Sequence, residues 1–172
     1  MILTASASDH EVSLGRHIYL VRTVRPSDEP ALFDMFSRSS AEDLRLRCLG
    51  TIKDFPRQAA ARLVQCDGSN EMALVAVDEE EADRPIVAVV HIVREPKAAT
   101  AEYDILVRTD KKGLGIGYQL MSDMLAFARA NGLAKIEGYI SSENRPMLQM
   151  VTELGFTFDR ADAGVVRVTA HL

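Results

Sequence analysis

Apolar positions along this chain recur with two periods, and the switches between them divide it into short elements. Residues 17–24 are rich in β-branched and aromatic side chains (Ile18, Tyr19, Val21), which predicts a strand that Arg25-Pro26 ends. Leu32, Phe33, Met35 and Phe36 share one face of a helix predicted over 28–38, with Ser27 or Asp28 as its cap. Ser39 or Ser40 caps a second short helix carrying Glu42 and Asp43 in its first turn, with Leu44 and Leu46 facing inward and Arg45 and Arg47 in water. A third helix, over roughly 55–65, opens on Phe55-Pro56 and stops before Asp67-Gly68. Residues 71–77 and 85–93 predict paired strands, joined by an acidic loop at 78–84 that reads as a solvated hairpin tip. Another strand spans 100–107. A helix over about 115–130 buries Leu120, Met121, Met124, Leu125 and Phe127 and ends at Asn131-Gly132. A strand at 134–140, a helix opened by Asn144 and closed by Gly155, and strands at 156–158 and 165–169 complete the order.

That order predicts an α/β chain: a mixed sheet with helices on both faces. Residues 1–14 are small and polar and read as a flexible leader, with 15–172 as a single domain. No apolar run approaches the roughly 20 residues a membrane span needs, and no secretory signal is visible. Cys48 and Cys66 form neither a CxxC nor a cluster with histidine, so the expectation is no disulfide framework, no metal site and a reducing cytoplasm. The net charge of −5 argues against a nucleic-acid partner and suits a cationic one.

The chemistry concentrates in Lys111-Lys112-Gly113-Leu114-Gly115-Ile116-Gly117, between a predicted strand and a predicted helix. Three glycines let successive backbone N–H groups converge on one anion, and the helix adds its positive N-terminal end. The stretch lacks the Lys-Ser or Lys-Thr of a Walker A loop and the spacing of a dinucleotide fingerprint. On the glycines alone, a turn without a ligand remains open.

Lys112-Gly113-Leu114-Gly115-Ile116-Gly117 resembles the Arg/Gln-x-x-Gly-x-Gly/Ala signature of the GNAT family of acyl-CoA-dependent N-acyltransferases, with Lys in first place. The helix from Asn144 to Leu154-Gly155-Phe156 resembles a second family segment, and the likeness runs over about residues 17–160. A narrower likeness, to the bacterial protein lysine acetyltransferases, is carried by four segments: 22–30 (RTVRPSDEP), 40–47 (SAEDLRLR), 101–108 (AEYDILVR) and 143–148 (ENRPML). It implies the GNAT fold, a mostly antiparallel mixed sheet of about six to seven strands. It also implies acetyl-CoA as co-substrate, and a protein lysine, such as one on an acyl-CoA synthetase, as acceptor. A homodimer is an open option. The resemblance places the CoA pyrophosphate on Lys112, Gly113, Leu114, Gly115, Ile116 and Gly117. The pantetheine arm falls on the backbone near Leu106 and Val107, where family members bulge, and on Asn144, which also reads as a simple helix cap.

A lysine amine is protonated at neutral pH, so transfer needs a general base. Alternation on 100–107 places Tyr103, Ile105 and Val107 on one face and Glu102, Asp104 and Leu106 on the other. On sequence alone Glu102 reads equally as a cleft-facing base or an exposed strand carboxylate, and the resemblance implies the base. Asp104 is second choice. Many family members carry a tyrosine as general acid where Val151 stands here, so a single-base mechanism is expected. His91 reads as a core histidine, and Met121, Met124, Met147 and Met150 as core. Two other readings stay open: acetylation of a small amine, and a non-catalytic CoA-binding regulatory domain.

Overall fold

The computed structural model describes residue 3 and residues 7–48, 55–159 and 162–172, without the side chains of Cys48 and Phe55. Its strands are β1 (His10–Leu14), β2 (His17–Thr23), β3 (Glu71–Asp78), β4 (Ile86–Arg94), β5 (Thr100–Val107), β6 (Lys135–Ser141), β7 (Thr157–Phe158) and β8 (Val165–His171). The helices are α1 (Glu29–Ser37), α2 (Ala41–Cys48), α3 (Phe55–Leu63), α4 (Ile116–Ala130) and α5 (Arg145–Glu153). The strands form one 8-stranded sheet in the order β1-β2-β3-β4-β5-β6-β8-β7. Every neighbouring pair is antiparallel except β5 with β6.

The sheet has one strand more than the upper expectation, because part of the expected leader is a strand. His10–Leu14 pairs with β2 through a two-residue loop, Leu14 standing opposite His17. Gly15 supplies the positive φ (62°) that the first position of a type II′ hairpin needs. The polar exterior of β1 hid it: only Val12 and Leu14 turn to the core.

Two apolar cores lie on the two faces of the sheet. One gathers Leu120, Met121 and Met124 of α4 and Val151 of α5 over Val90, Ile92 and Tyr103. The other gathers Leu32, Met35 and Phe36 of α1 and Leu63 of α3 over Val75, Val89 and Leu106. Burying each such side chain contributes about 1.5–3 kcal/mol. β4, covered on both faces, therefore reads as a continuous apolar run. β5 is covered on both faces too: Leu106 is buried in the second core while Ile105 and Val107 are only half-buried against the first.

Asp28 occupies the cap position of α1 but does not cap it. Its carboxylate accepts from both Arg22 Nη atoms (2.7 and 2.9 Å) and from the Arg25 amide (2.7 Å). Ser40, not Ser39, caps α2, its Oγ accepting from Asp43 N at 3.1 Å.

Candidate functional site

A cleft of about 820 Å³ opens where β5 and β6 part. The two strands pair in parallel over only Thr100–Lys135, Ala101–Ile136 and Glu102–Glu137. Among the described residues, β5 beyond Glu102 has a ladder partner only in β4, and β6 beyond Glu137 only in β8. Residues 103–107 thus turn one side of their backbone to the cleft, where a peptide-like ligand can meet N–H and C=O groups. The β4–β5 ladder runs from Ala88–Val107 to Arg94–Ala101 without a register shift. The opening comes from the departure of β6, and the bulge expected near Leu106 and Val107 is not what produces it.

The far end of the cleft is the glycine loop. Gly113 (φ 75°) and Gly115 (φ 92°) adopt the left-handed conformation, Gly115 standing at the N-cap position of α4. At Gly117 a Cβ would lie 3.2 Å from Val107 Cγ2, so its absence lets α4 approach β5 closely. The end of β1 buttresses the loop, a Cβ on Gly115 lying 3.7 Å from Leu14 Cδ1.

The lysines preceding the glycines are tied to carboxylates. Lys111 Nζ lies 2.7 Å from both Asp78 Oδ2 and Glu81 Oε1. Arg108, fully buried, donates to Glu81 (2.9 Å) and Asp110 (2.6 Å). Asp78 and Glu81 of the acidic 78–84 loop therefore anchor the glycine loop, while Glu80, Ala82, Asp83 and Arg84 are exposed, as expected of a solvated tip. On the other flank, Lys112 pairs with Asp43 of α2, and Thr109 Oγ1 donates to Asp43 Oδ2 at 2.5 Å. The Asp43 carboxyl is held below its usual range: burial works against this, and Lys112 and Thr109 outweigh it.

α2 continues along the cleft. Leu46 and Arg47 line it, and Arg45 reaches Glu143 (2.9 Å) beside the start of α5. Arg47, expected in water, keeps a side chain only 10% exposed, pairs with Asp104 and covers the Phe36 ring at 5.7 Å. Asp104 also faces His91 Nδ1 at 3.5 Å. Burial pushes the Asp104 carboxyl up, but Arg47 and His91 prevail and hold it low. Burial pulls His91 down, yet Asp104 and Cys66 push it up to about 10. Glu102 behaves oppositely. Burial, then the nearby charges of Asp104, Glu95 and Glu137, raise its carboxyl above the ordinary range.

Of the residues singled out from sequence, Leu106, Val107, Lys112, Gly113, Gly115, Ile116, Gly117 and Asn144 line the cleft. Leu114 does not; it is exposed at the turn of the loop. Glu102 does not line it either, and stands exposed at its vertex as the last β5 residue paired to β6. Asn144 caps α5, its Oδ1 accepting from Met147 N at 3.3 Å. Met147 and Met150 pack half-buried against the first core and also line the cleft. Cys66 is outside the cleft lining.

Sequence reasoning missed Asp43 and Tyr103. Asp43 acts on residues 66 and 69 positions away, a separation no local pattern carries. Tyr103 lines the cleft with a buried hydroxyl that has no partner among the described residues. Its ring lies over Gly138, where a Cβ would come within 2.3 Å, and meets Phe156 edge-on at 5.8 Å.

The acetyltransferase (GNAT) family model matches residues 38–156, which include α2, the cleft strands, the glycine loop and α5. An acetyltransferase of Pseudomonas aeruginosa is 28% identical over 146 residues, covering 85% of this chain and 78% of that one. Acetyltransferase Pat of Mycolicibacterium smegmatis is 29% identical over 157 residues, covering 91% of this chain; the chain spans 46% of Pat's length. In structure, the GNAT domain of S. lividans PAT superposes with a TM-score of 0.84 at 22% identity, covering 95% of this chain and 97% of that domain, a likeness of fold. The strand split, the glycine loop beyond it and the matched residues agree: the chain is an acyltransferase that belongs to the GNAT family of acetyltransferases.

Proposed function

We propose that the chain moves an acetyl group from acetyl-CoA to a lysine side-chain amine of a protein, by direct attack with Glu102 as general base. The observation that carries the reading is the parting of β5 from β6 immediately after Glu102, which sets this carboxylate at the vertex of a cleft ending in a glycine loop.

The pyrophosphate of CoA lies on the backbone N–H groups of residues 113–117, since Lys111 and Lys112 are already engaged by carboxylates. The pantetheine arm runs along β5, with Asn144 at the opposite wall. Glu102 takes the proton from the incoming ammonium. The free amine attacks the thioester carbon, the C–N bond forms, and negative charge develops on oxygen beside the backbone N–H groups near Leu106 and Val107. The C–S bond then breaks and CoA leaves as a thiolate. Val151, buried in α5, offers no proton for it.

Two features support these roles. The raised Glu102 carboxyl is a stronger base than an ordinary one, whereas Asp104 is neutralised by Arg47 and His91. Glu102 and Glu137 at the vertex, with the charge of Glu95 felt by Glu102, favour a cationic acceptor. The choice of a protein lysine rests on the resemblance of residues 22–30, 40–47, 101–108 and 143–148 to the bacterial protein lysine acetyltransferases. The test is thiol release from acetyl-CoA with a panel of acyl-CoA synthetases and small amines, followed by mapping of acetyl-lysine. Transfer to a synthetase lysine is expected. Turnover of a small amine with no protein labelling would move the acceptor to that class, and CoA binding without any turnover would leave a regulatory domain.

A further inference from the structure

Across the sheet from α4, on the face covered by α1 and α3, a second cluster of reactive side chains lies outside the cleft. Cys66 follows the end of α3, Glu71 opens β3 and His91 lies in the middle of β4. Ala73 pairs with His91 and Glu71 with Val93, so Glu71 and His91 are diagonal neighbours on one face. One ligand-capable atom from each of the three residues lies within 4.8 Å of the others.

We propose that Cys66, Glu71 and His91 form a binding site for a divalent cation of the zinc class. Cys66 Sγ, one Glu71 carboxylate oxygen and His91 Nε2 are the ligands, and water takes the fourth position. His91 Nε2 and Glu71 Oε2 are 3.3 Å apart. That is about the N···O edge of a tetrahedron with metal–ligand bonds of about 2.0–2.2 Å. The remaining oxygen of Glu71 is already held, Arg62 Nη2 donating to Oε1 at 2.6 Å, which leaves Oε2 directed at His91.

The outer shell is in place as well. His91 has a side chain only 7% exposed, and its other ring nitrogen faces Asp104 Oδ2 at 3.5 Å. A carboxylate behind a ligating imidazole fixes the tautomer and the ring orientation. A separate cavity of about 330 Å³, lined by Cys66, Gly68 and Glu71, gives a path for the ion and room for its water.

Thiolate, imidazole and carboxylate together select a borderline ion over magnesium or calcium, which take oxygen ligands. On binding, Cys66 gives up its thiol proton and His91 its Nε2 proton, both to solvent, while Glu71 binds as the carboxylate. Asp104 also lines the transfer cleft, so the metal sits one side chain away from it. The site itself does not depend on the transfer reaction.

The test is titration of the chelator-treated full chain with cobalt(II), which reports thiolate ligation by a charge-transfer band in the near ultraviolet, followed by displacement with zinc(II). One equivalent of cobalt should develop the band and zinc should abolish it. C66S should remove the band, and E71Q should weaken cobalt binding at least about tenfold. His91→Ala, in a buried position, is read only if its circular dichroism matches the parent; D104N serves as the milder probe and should weaken binding about 10–100-fold. No thiolate band, a band that persists in C66S through Cys48, or unchanged affinity in both E71Q and D104N would overturn the site.

Discussion

Arg47 of α2 and Asp104 of β5 form a salt bridge inside the cleft, and this pair helps hold Asp104 low while burial raises Glu102 two residues before it. With Arg47 on one side and His91 on the other, Asp104 is held ionised. Asp104→Asn should therefore lower kcat by about tenfold or less, through altered positioning, and leave the acidic limb of the pH–rate profile where it was. R47A should destabilise the fold by about 1–2 kcal/mol, Asp104 being exposed enough for water to screen part of the lost pairing, as read by thermal or urea unfolding.

Gly115 stands at φ 92° at the start of α4. Gly115→Glu places both a strained backbone, worth about 1–2 kcal/mol, and a negative charge where phosphate is expected. Acetyl-CoA affinity should fall by about 100-fold or more in a calorimetric titration. Gly115→Ala carries the strain without the charge and should lose much less. Intact CoA binding in the glutamate variant would remove the loop from the binding site.

Gly138 is the floor under Tyr103. A methyl group there would lie 2.3 Å from Tyr103 Cε1, and the ring cannot retreat freely because Phe156 stands against it. Gly138→Ala should cost about 1–3 kcal/mol of stability by overpacking. It should also raise KM for acetyl-CoA, because the displaced ring lines the cleft. Thermal melts and steady-state kinetics on the one variant read both effects.

Asp28 links stability to acid. Burial raises its carboxyl, but Arg22 and the Arg25 amide outweigh that and hold it below the usual value. A carboxyl depressed in the folded state contributes stability above its unfolded pKa, near 3.9, and that contribution is lost as pH falls through the lower folded value. Urea unfolding followed from pH 6 to pH 3 should show a falling free energy. Asp28→Asn should be less stable at pH 6 and lose less on acidification.

Most of the scaffold was legible because its elements are strongly periodic. The Met121–Met124–Phe127 face of α4 and the apolar run of β4, interrupted only by His91 before Arg94, leave one reading each. β1 was hidden by its solvent-facing side, where only two apolar residues mark the inner face. The glycine loop was legible through its spacing, but what holds it was not. Asp43, Asp78 and Glu81 read locally as helix-start and loop acids, and they find Lys112, Lys111 and Arg108 only after the sheet is assembled. The same holds for Arg47, whose position in α2 suggested water until β5 placed Asp104 beneath it. Cys66 and His91 carried no motif because the register of β3 against β4 brings His91 beside Glu71, and the segment after α3 brings Cys66 to both.

The central claim is that Glu102 supplies the base for acetyl transfer from acetyl-CoA to lysine. The most direct measurement sets Glu102→Gln beside the parent, with acetyl-CoA binding measured by calorimetry and thiol release followed in the presence of a lysine-bearing acceptor. Glu102 lies at the cleft vertex and outside its lining, so binding should stay within about twofold of the parent while the rate falls by about 100-fold or more. In the parent, the acidic limb of kcat/KM should report a group titrating above the ordinary carboxylate range. Undiminished thiol release by Glu102→Gln, with acetyl-lysine still formed, would contradict the assignment and remove Glu102 from the chemistry.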